Sequence, residues 1–217
     1  TFDTTLDHLV VAADRLEHGI DHVERCLGVR CTAGGRHPQR GTHNALLGLG
    51  EDRYIEVIAI DPQARAPATP RWFGLDDPGI RATLEDRPRL LTWVARSTDL
   101  DTAVAACVHD AGRPRPMQRG DLHWRIAFRD DGALVADGLV PSLIEWGEGV
   151  RHPAERLPDA GLRLRTLRGV HPDPARVRAL LEPLSLADTL AMETGCTGET
   201  ARLQAGIETR EGLRWLA

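Results

Sequence analysis

Two polar side chains, His8 and Glu56, lie in otherwise apolar segments that read as β-strands, residues 6–12 and 54–59. Side chains on adjacent strands that face the same surface come within about 5 Å of each other. An imidazole and a carboxylate at that separation supply the N and O donors that Zn²⁺, Mn²⁺, Fe²⁺ or Ni²⁺ accept. A carboxylate among apolar residues is costly to bury without a partner, so Glu56 in particular predicts a site. The alternative for His8 is a core histidine that is hydrogen-bonded to backbone.

These strands belong to a pattern that occurs twice: an apolar strand, a helix that begins at an aspartate, and a closing strand with a glutamate. The helices are predicted to begin at Asp14 and Asp99, and His8 and Trp93 each lie six residues before those aspartates. The glutamate of the second closing strand is Glu145. Each copy reads as β-α-β-β-β, which predicts an α+β fold built from paired modules.

The repeat divides the chain into modules. The first module covers residues 1–61, a proline-rich linker covers 62–86, and the second module covers 87–153. The linker holds four of the 14 prolines, and we expect it to wrap the surface and cover the site. Residues 160–217 read as a third, degenerate module. No metal-binding residue stands at its matching positions, so its predicted role is structural.

Composition restricts the class of protein. The 41% hydrophobic and 27% charged residues are typical of a globular domain. A net charge of −5 without a basic tract argues against a nucleic-acid partner. No apolar run reaches the roughly 18 residues that a membrane span needs. The four cysteines form no CxxC pair, so we expect free thiols and a cytoplasmic protein.

Several segments together resemble the glyoxalase-like domain family of the vicinal oxygen chelate superfamily. The resemblance covers about the first 155 residues and is carried by residues 6–10, 34–38, 41–46, 54–58 and 141–146, followed by His152-Pro153. It implies that the paired β-α-β-β-β modules curl into a half-open barrel, a cup whose ligands come from first and last strands.

The resemblance also implies two further metal-ligand positions in the second module. They map to Trp93, which cannot bind a metal, and to Glu145, which can. His123 is the best substitute for the lost ligand, because strand alternation places it on the face opposite Trp124. The predicted metal set is therefore His8, Glu56, Glu145 and His123, holding a divalent Zn, Mn, Fe or Ni ion.

Two residues are predicted to act on the substrate. Glu145 is a candidate general base, and Arg125 shares a face with His123, where its guanidinium can bind an anion. The alternative for Arg125 is a salt bridge that neutralises Glu145. The predicted substrate-binding residues are Trp93, Trp124, Trp146, Tyr54, His43 and His152. The alternatives are core positions for the tryptophans, a surface position for His43 and a turn-forming role for His152.

The resemblance implies a metal-dependent enzyme of the lyase or isomerase type, acting on a small oxygenated, anionic molecule. Two other functions stay open. A non-catalytic protein could bind or sequester a small molecule in the same cup, and a structural module could use the C-terminal extension. The expected partners are a small-molecule ligand and a second copy in a homodimer, with no nucleic acid and no membrane.

Overall fold

The computed structural model describes residues 1–196, 198 and 200–217. In this part of the chain the strands form an eight-stranded sheet and a separate four-stranded sheet. None of the described helices has the length and apolar character needed to cross a membrane. The predicted third module, residues 160–217, includes positions 197 and 199, which lie outside the described residues.

The first half of the eight-stranded sheet follows the predicted β-α-β-β-β order. Its elements are β1 (Thr4–Ala12), α1 (Leu16–Leu27), β2 (Thr32–His37), β3 (Thr42–Gly48) and β4 (Tyr54–Ile60). The first strand pairs in parallel with the last, and β3 lies antiparallel between β2 and β4. The parallel pairing of β1 with β4 is what brings the His8 strand beside the Glu56 strand.

The second half repeats this arrangement after a helix in the linker. Its elements are α2 (Pro78–Asp86), β5 (Arg89–Ser97), α3 (Leu100–Ala106), β6 (Arg113–Arg119), β7 (Leu122–Phe128) and β8 (Ser142–Trp146). The strand order β2-β3-β4-β1-β5-β8-β7-β6 is symmetric about the antiparallel β1–β5 pair. The end strands β2 and β6 contact each other, so the sheet curls into the predicted half-open barrel. The α+β fold class is confirmed.

The C-terminal segment keeps the order of elements but changes their pairing. It contains α4 (Pro153–Arg156), β9 (Arg163–His171), α5 (Pro174–Leu181), β10 (Ala191–Thr194), β11 (Arg202–Thr209) and β12 (Gly212–Leu216). Its strand order is β10-β9-β11-β12, so the first strand lies inside the sheet. In the two barrel halves the first strand instead lies beside the last. This segment lies against the barrel, where β11 contacts β5 and β12 contacts α1, and its origin as a degenerate third module stays a prediction.

The eight-stranded sheet separates two apolar layers. On the outer side, Leu9 and Trp93 pack with residues of α1 and of the four-stranded sheet. On the inner side, Val10 packs with Trp72, Phe73 and other residues that fill the lower part of the cup. Leu9 and Val10 are consecutive and point to opposite faces, as strand geometry requires. The linker thus contributes apolar side chains to the interior of the barrel.

The structure corrects the bounds of the two predicted helices, residues 15–27 and 100–111, and adds a helix that was not predicted. Helix α1 begins at Leu16 after Arg15, because the Asp14 carboxylate binds His18 Nδ1 at 2.8 Å instead of capping the helix. Helix α3 is capped by Asp99 as predicted but ends at Ala106 instead of continuing to residue 111. The linker contains α2, which Asp77 caps and which begins with proline, a typical helix start.

Trp93 was predicted to bind substrate, but it packs in the apolar core. It is fully buried in the outer layer, and its Nε1 donates to Leu139 O at 3.0 Å. We expect Trp93→Ala to lower the free energy of unfolding by about 3–5 kcal/mol, because it leaves a large cavity. Chemical denaturation measures this loss.

The matched control is Trp215→Ala, because Trp215 is 38% exposed on the flanking sheet. Trp215→Ala should lower the free energy of unfolding much less than Trp93→Ala does. Near-wild-type stability of Trp93→Ala would contradict the core assignment.

Candidate active site

A β-bulge in β1 places two consecutive polar side chains together. In the β1–β5 pairing, Leu6 lies opposite Ala95 and His8 lies opposite Val94, so Asp7 is an extra residue. A bulge suspends the alternation of side chains and turns one of them to a new direction. Asp7 Oδ1 consequently lies 2.6 Å from His8 Nδ1. Sequence reasoning missed Asp7, because regular alternation assigns it to the face opposite His8.

The Asp7 carboxylate joins the two halves of the barrel. It is completely buried, and its Oδ2 accepts hydrogen bonds from Trp146 Nε1 at 3.0 Å and from His152 Nε2 at 2.9 Å. His152 Nδ1 accepts from Ala154 N at 3.3 Å, so the ring proton is on Nε2 and faces Asp7. Burial raises the pKa of Asp7, but the hydrogen bonds from His152 and His8 outweigh it and hold the pKa well below its usual range. Asp7 is therefore an anion at neutral pH.

His8 lies between two carboxylates. Its Nδ1 donates to Asp7, and its Nε2 lies 3.5 Å from Glu56 Oε2, while the Tyr54 ring stacks on the imidazole at 4.6 Å. Burial by itself lowers the pKa of His8, but the contacts with Asp7 and Glu56 outweigh it and raise the pKa to about 9. The same contact keeps the pKa of Glu56 below its ordinary value despite burial. At neutral pH the group is an imidazolium held by two anions.

The other oxygen of Glu56 is held by an amide. Asn44 Nδ2 donates to Glu56 Oε1 at 2.6 Å, and Asn44 Oδ1 accepts from Gly35 N at 2.8 Å. A side chain at Gly34 would put its Cβ 2.2 Å from Asn44 Oδ1, so only glycine allows the backbone this close. The Gly34-Gly35 pair of the sequence motif therefore serves to orient Asn44.

Arg119, at the end of β6, reaches across the open seam of the barrel. Its Nη1 donates to Asn44 Oδ1 at 2.9 Å and contacts His37 Nε2 at 3.2 Å. Burial lowers the pKa of His37 to about 4, so this imidazole is neutral and its Nε2 accepts from the guanidinium. No carboxylate of the described residues lies within ion-pair distance of Arg119. Sequence reasoning missed Arg119, because β6 contains two prolines and was not predicted as a strand.

These groups surround a small cavity of about 30 Å³. The ionisable group lies on one side, and aromatic rings line the rest of the wall. The lining residues are His8, His37, Asn44, Leu46, Tyr54, Glu56, Trp72, Phe73, Arg119, Trp124, Ile126, Ile144 and Trp146. Trp72 and Phe73 come from the linker, which therefore covers one side of the cup.

The structure does not bring Glu145, His123 and Arg125 to His8. Ile144 and Trp146 line the cavity, so Glu145 between them points to the outer face, where Leu100 N donates to its Oε1 at 3.1 Å. Glu145 Oε2 accepts from Arg125 Nη2 at 2.6 Å, which is the salt bridge that the sequence left as the alternative. His123 is exposed on the same outer side. Glu145 and Arg125 therefore do not line this cup, and their catalytic roles stay predictions.

The predicted metal set is not assembled. His8 and Glu56 offer two donors, while Glu145 and His123 lie on the other face of the sheet. Within the described ranges, no group of three or more His, Cys, Asp or Glu side chains is placed to hold a metal ion. Structural and catalytic metal sites generally need at least three protein ligands. The residues of this cup do not fit the divalent metal site expected from the sequence.

The predicted substrate-binding residues divide into two groups. Trp124, Trp146 and Tyr54 line the cavity. His152 supports Asp7 through its hydrogen bond, and His43 faces away from the cup because it precedes the inward-facing Asn44 in β3. As described above, Trp93 lies in the outer core.

Comparison with known proteins agrees with the predicted family and fold. The sequence model of the glyoxalase-like domain family matches residues 6–185. This match spans most of the chain, so the chain belongs to the glyoxalase-like domain family. Its paired, curled modules have the fold of the vicinal oxygen chelate superfamily.

One solved structure supports the same fold, and two others are similar at lower TM-scores. A hypothetical protein from Staphylococcus aureus is similar with a TM-score of 0.61 and 12% identity, over 92% of this chain and 88% of that chain. A methylmalonyl-CoA epimerase in complex with methylmalonyl-CoA and NH4+ has 17% identity and a TM-score of 0.43, over 69% and 99% of the two chains. The epimerase from Mycobacterium tuberculosis has 21% identity and a TM-score of 0.39, over 64% and 86%. No curated protein sequence matches the chain.

The protonated state of His8 predicts a pH-dependent stability. Its pKa in the fold, about 9, lies above the ordinary value of 6.5, so folding takes up a proton between these pH values. This stabilisation is complete below pH 6.5 and is lost as the pH rises through about 9. We expect the free energy of unfolding to fall by up to about 1.4 kcal/mol per pH unit in this window. Urea denaturation at several pH values measures the slope.

In His8→Gln the slope between pH 6.5 and 9 should be much smaller. His18→Gln is the matched control, because His18 is on the surface of α1, and it should keep the wild-type slope. Identical slopes in the wild type and His8→Gln would show that His8 is not protonated between the carboxylates.

Proposed function

We propose that the cup is the active site of an enzyme that transfers a proton on a small, oxygenated, anionic molecule, in a reaction of the lyase or isomerase type. The observation that carries this proposal is the buried His8 imidazolium between Asp7 and Glu56, at the wall of a cavity lined by aromatic rings. Ionisable groups whose pKa values are strongly shifted in a cleft are typical of catalytic sites.

Stability alone is a weak reason for such a group. Taking charges out of water costs several kcal/mol per ion, and well-packed apolar residues of similar volume often stabilise a protein more than a buried ion pair does. Asp7, His8 and Glu56 are each buried nearly completely. A chain that needed only a folded barrel would gain from apolar residues at these positions. Their presence supports a chemical role.

The geometry supports a division of roles between His8 and Glu56. Asp7 fixes the Nδ1–H of His8, so the Nε2–H is the proton that faces the cavity. A ligand oxygen that accepts from Nε2 takes the place of Glu56 as the partner of His8. The pKa of Glu56 then rises, and its carboxylate becomes a better base for a proton on the adjacent carbon. His8 stabilises the charge that develops on the ligand oxygen when that proton leaves.

The proposed reaction is carried by His8 and Glu56 without a step on a metal ion. The resemblance implied a divalent metal, but only His8 and Glu56 of the predicted ligands lie together. Both residues act in the proposal through their protons and charges.

The second candidate function is binding without chemistry. It is favoured by the aromatic wall, because Trp72, Trp124 and Trp146 can hold a small molecule without any help from His8. A binding protein would be stabilised by its ligand and would leave the carbon-bound protons of that ligand in place. Proton exchange therefore separates the two functions.

Deuterium incorporation at carbon tests the proposed chemistry. The protein is incubated in D2O with small 2-oxo acids and vicinal diketones, and NMR follows the loss of the proton beside the carbonyl group. We expect catalysed exchange with at least one of these molecules. Glu56→Gln and His8→Gln should each slow it by about 10²–10⁴-fold, the usual contribution of a general acid or base.

Glu145→Gln is the matched control, because this carboxylate lies on the outer face of the same sheet. The variant should catalyse deuterium exchange at the wild-type rate. Ligand-dependent stabilisation without any exchange would favour the binding protein. Wild-type exchange in Glu56→Gln would contradict the assigned base.

A further inference from the structure

Arg119 differs from the other arginine near the buried acids. Arg96 lies 3.8 Å from Asp7 and 3.9 Å from Asp52, so it already faces carboxylates. Among the described residues, the hydrogen-bond partners of Arg119 are the neutral groups Asn44 Oδ1 and His37 Nε2, both through Nη1. Its Nε and Nη2 donors have no hydrogen-bond partner among the described residues. A guanidinium in this state can donate two parallel hydrogen bonds to a carboxylate.

A second unpaired donor lines the same cavity. Trp72 is only 3% exposed, and its Nε1 is buried without a hydrogen-bond partner in the described part of the chain. Buried indole N–H groups usually find an acceptor, because leaving one unpaired costs about 1–3 kcal/mol. The His37 ring links the two donors, since it contacts Arg119 Nη1 and packs edge-on against Trp72 at 5.1 Å.

We infer that Arg119 and the indole N–H of Trp72 form a carboxylate-binding subsite beside His8 and Glu56. This inference rests on the proposed function and names its substrate class. The Asn44 amide links the subsite to the base, because its Oδ1 accepts from Arg119 Nη1 at 2.9 Å and its Nδ2 donates to Glu56 Oε1 at 2.6 Å. The carboxylate of the substrate must therefore lie within a few atoms of the reacting carbon. A short 2-oxo acid meets this condition.

The surroundings of Arg119 fit a positioned binding group. Its side chain lies on Gly35, where an added Cβ would come 2.8 Å from Arg119 Cδ. His37 is neutral and donates its remaining proton toward Thr42 Oγ1 at 3.1 Å, which leaves its Nε2 as an acceptor for Arg119. The guanidinium is thus fixed by acceptors that carry no charge, and its own charge stays available for a ligand.

The test compares two ligands of nearly the same shape. Pyruvate carries a carboxylate where diacetyl carries an acetyl group, and calorimetric titration measures the affinity of the intact protein for each. We expect pyruvate to bind more tightly than diacetyl. Arg119→Gln should weaken pyruvate binding about 10- to 100-fold, the usual loss for hydrogen bonds to a charged group, and should weaken diacetyl binding much less. Trp72→Phe should weaken it roughly 3- to 10-fold.

Arg113→Gln is the matched control, because Arg113 lies on the same strand and pairs with Asp130 at the surface. It should bind both ligands as the wild type does. Gly35→Ala provides a second variant that keeps the charge, and it should weaken pyruvate binding by displacing Arg119. Equal affinity for pyruvate and diacetyl, equal losses for both in Arg119→Gln, or no binding of either ligand would overturn the inference.

The binding and exchange experiments can fail independently, so they test the subsite and the proposed enzyme separately. Selective pyruvate binding without deuterium exchange supports the subsite and contradicts the enzyme. Exchange on diacetyl with no preference for pyruvate supports the enzyme and contradicts the subsite.

Discussion

The buried carboxylate of Asp7 is the group on which the arrangement of the cup depends. It receives hydrogen bonds from His8 in the first half of the barrel and from Trp146 and His152 in the second. These bonds fix the orientation of the His8 ring and hold one wall of the cavity. They also fix the charge of the site, because an anion with three donors stays ionised and favours a protonated His8. One bulged residue thus sets both the geometry and the electrostatics.

A second polar chain closes the opposite side of the cup. Hydrogen bonds run across the seam between the two end strands of the sheet, from Arg119 to Asn44 and from Asn44 to Glu56. Apolar contacts fill the lower part of the barrel, where the linker supplies Trp72 and Phe73. The barrel is therefore joined by packing at its base and by directed hydrogen bonds at the site. The proposed substrate contacts lie in this polar part, where a ligand can replace one hydrogen-bond partner by another.

Much of this structure follows from patterns in the sequence, and the departures have physical causes. Regular alternation placed His123 and Trp124 on opposite faces of a strand, as in β7, and the segments around His8 and Glu56 predicted the family and the half-open barrel. Alternation could not predict that Asp7 contacts His8, because a β-bulge interrupts the regular alternation of side chains between the two faces of the strand. Glu145 was assigned to the cup, whereas Ile144 and Trp146 occupy the inward positions of its strand. Arg119 reaches the site across a seam that no local pattern encodes.

The most direct test of this account is the pKa of His8 itself, measured by ¹⁵N NMR of the imidazole in the wild type and in Asp7→Asn. The account predicts a wild-type value raised to about 9. Asp7→Asn should lower that value, because the amide removes the anion that faces Nδ1. A value near the ordinary 6.5 in both proteins would contradict the buried imidazolium and, with it, the proposed chemistry of the cup.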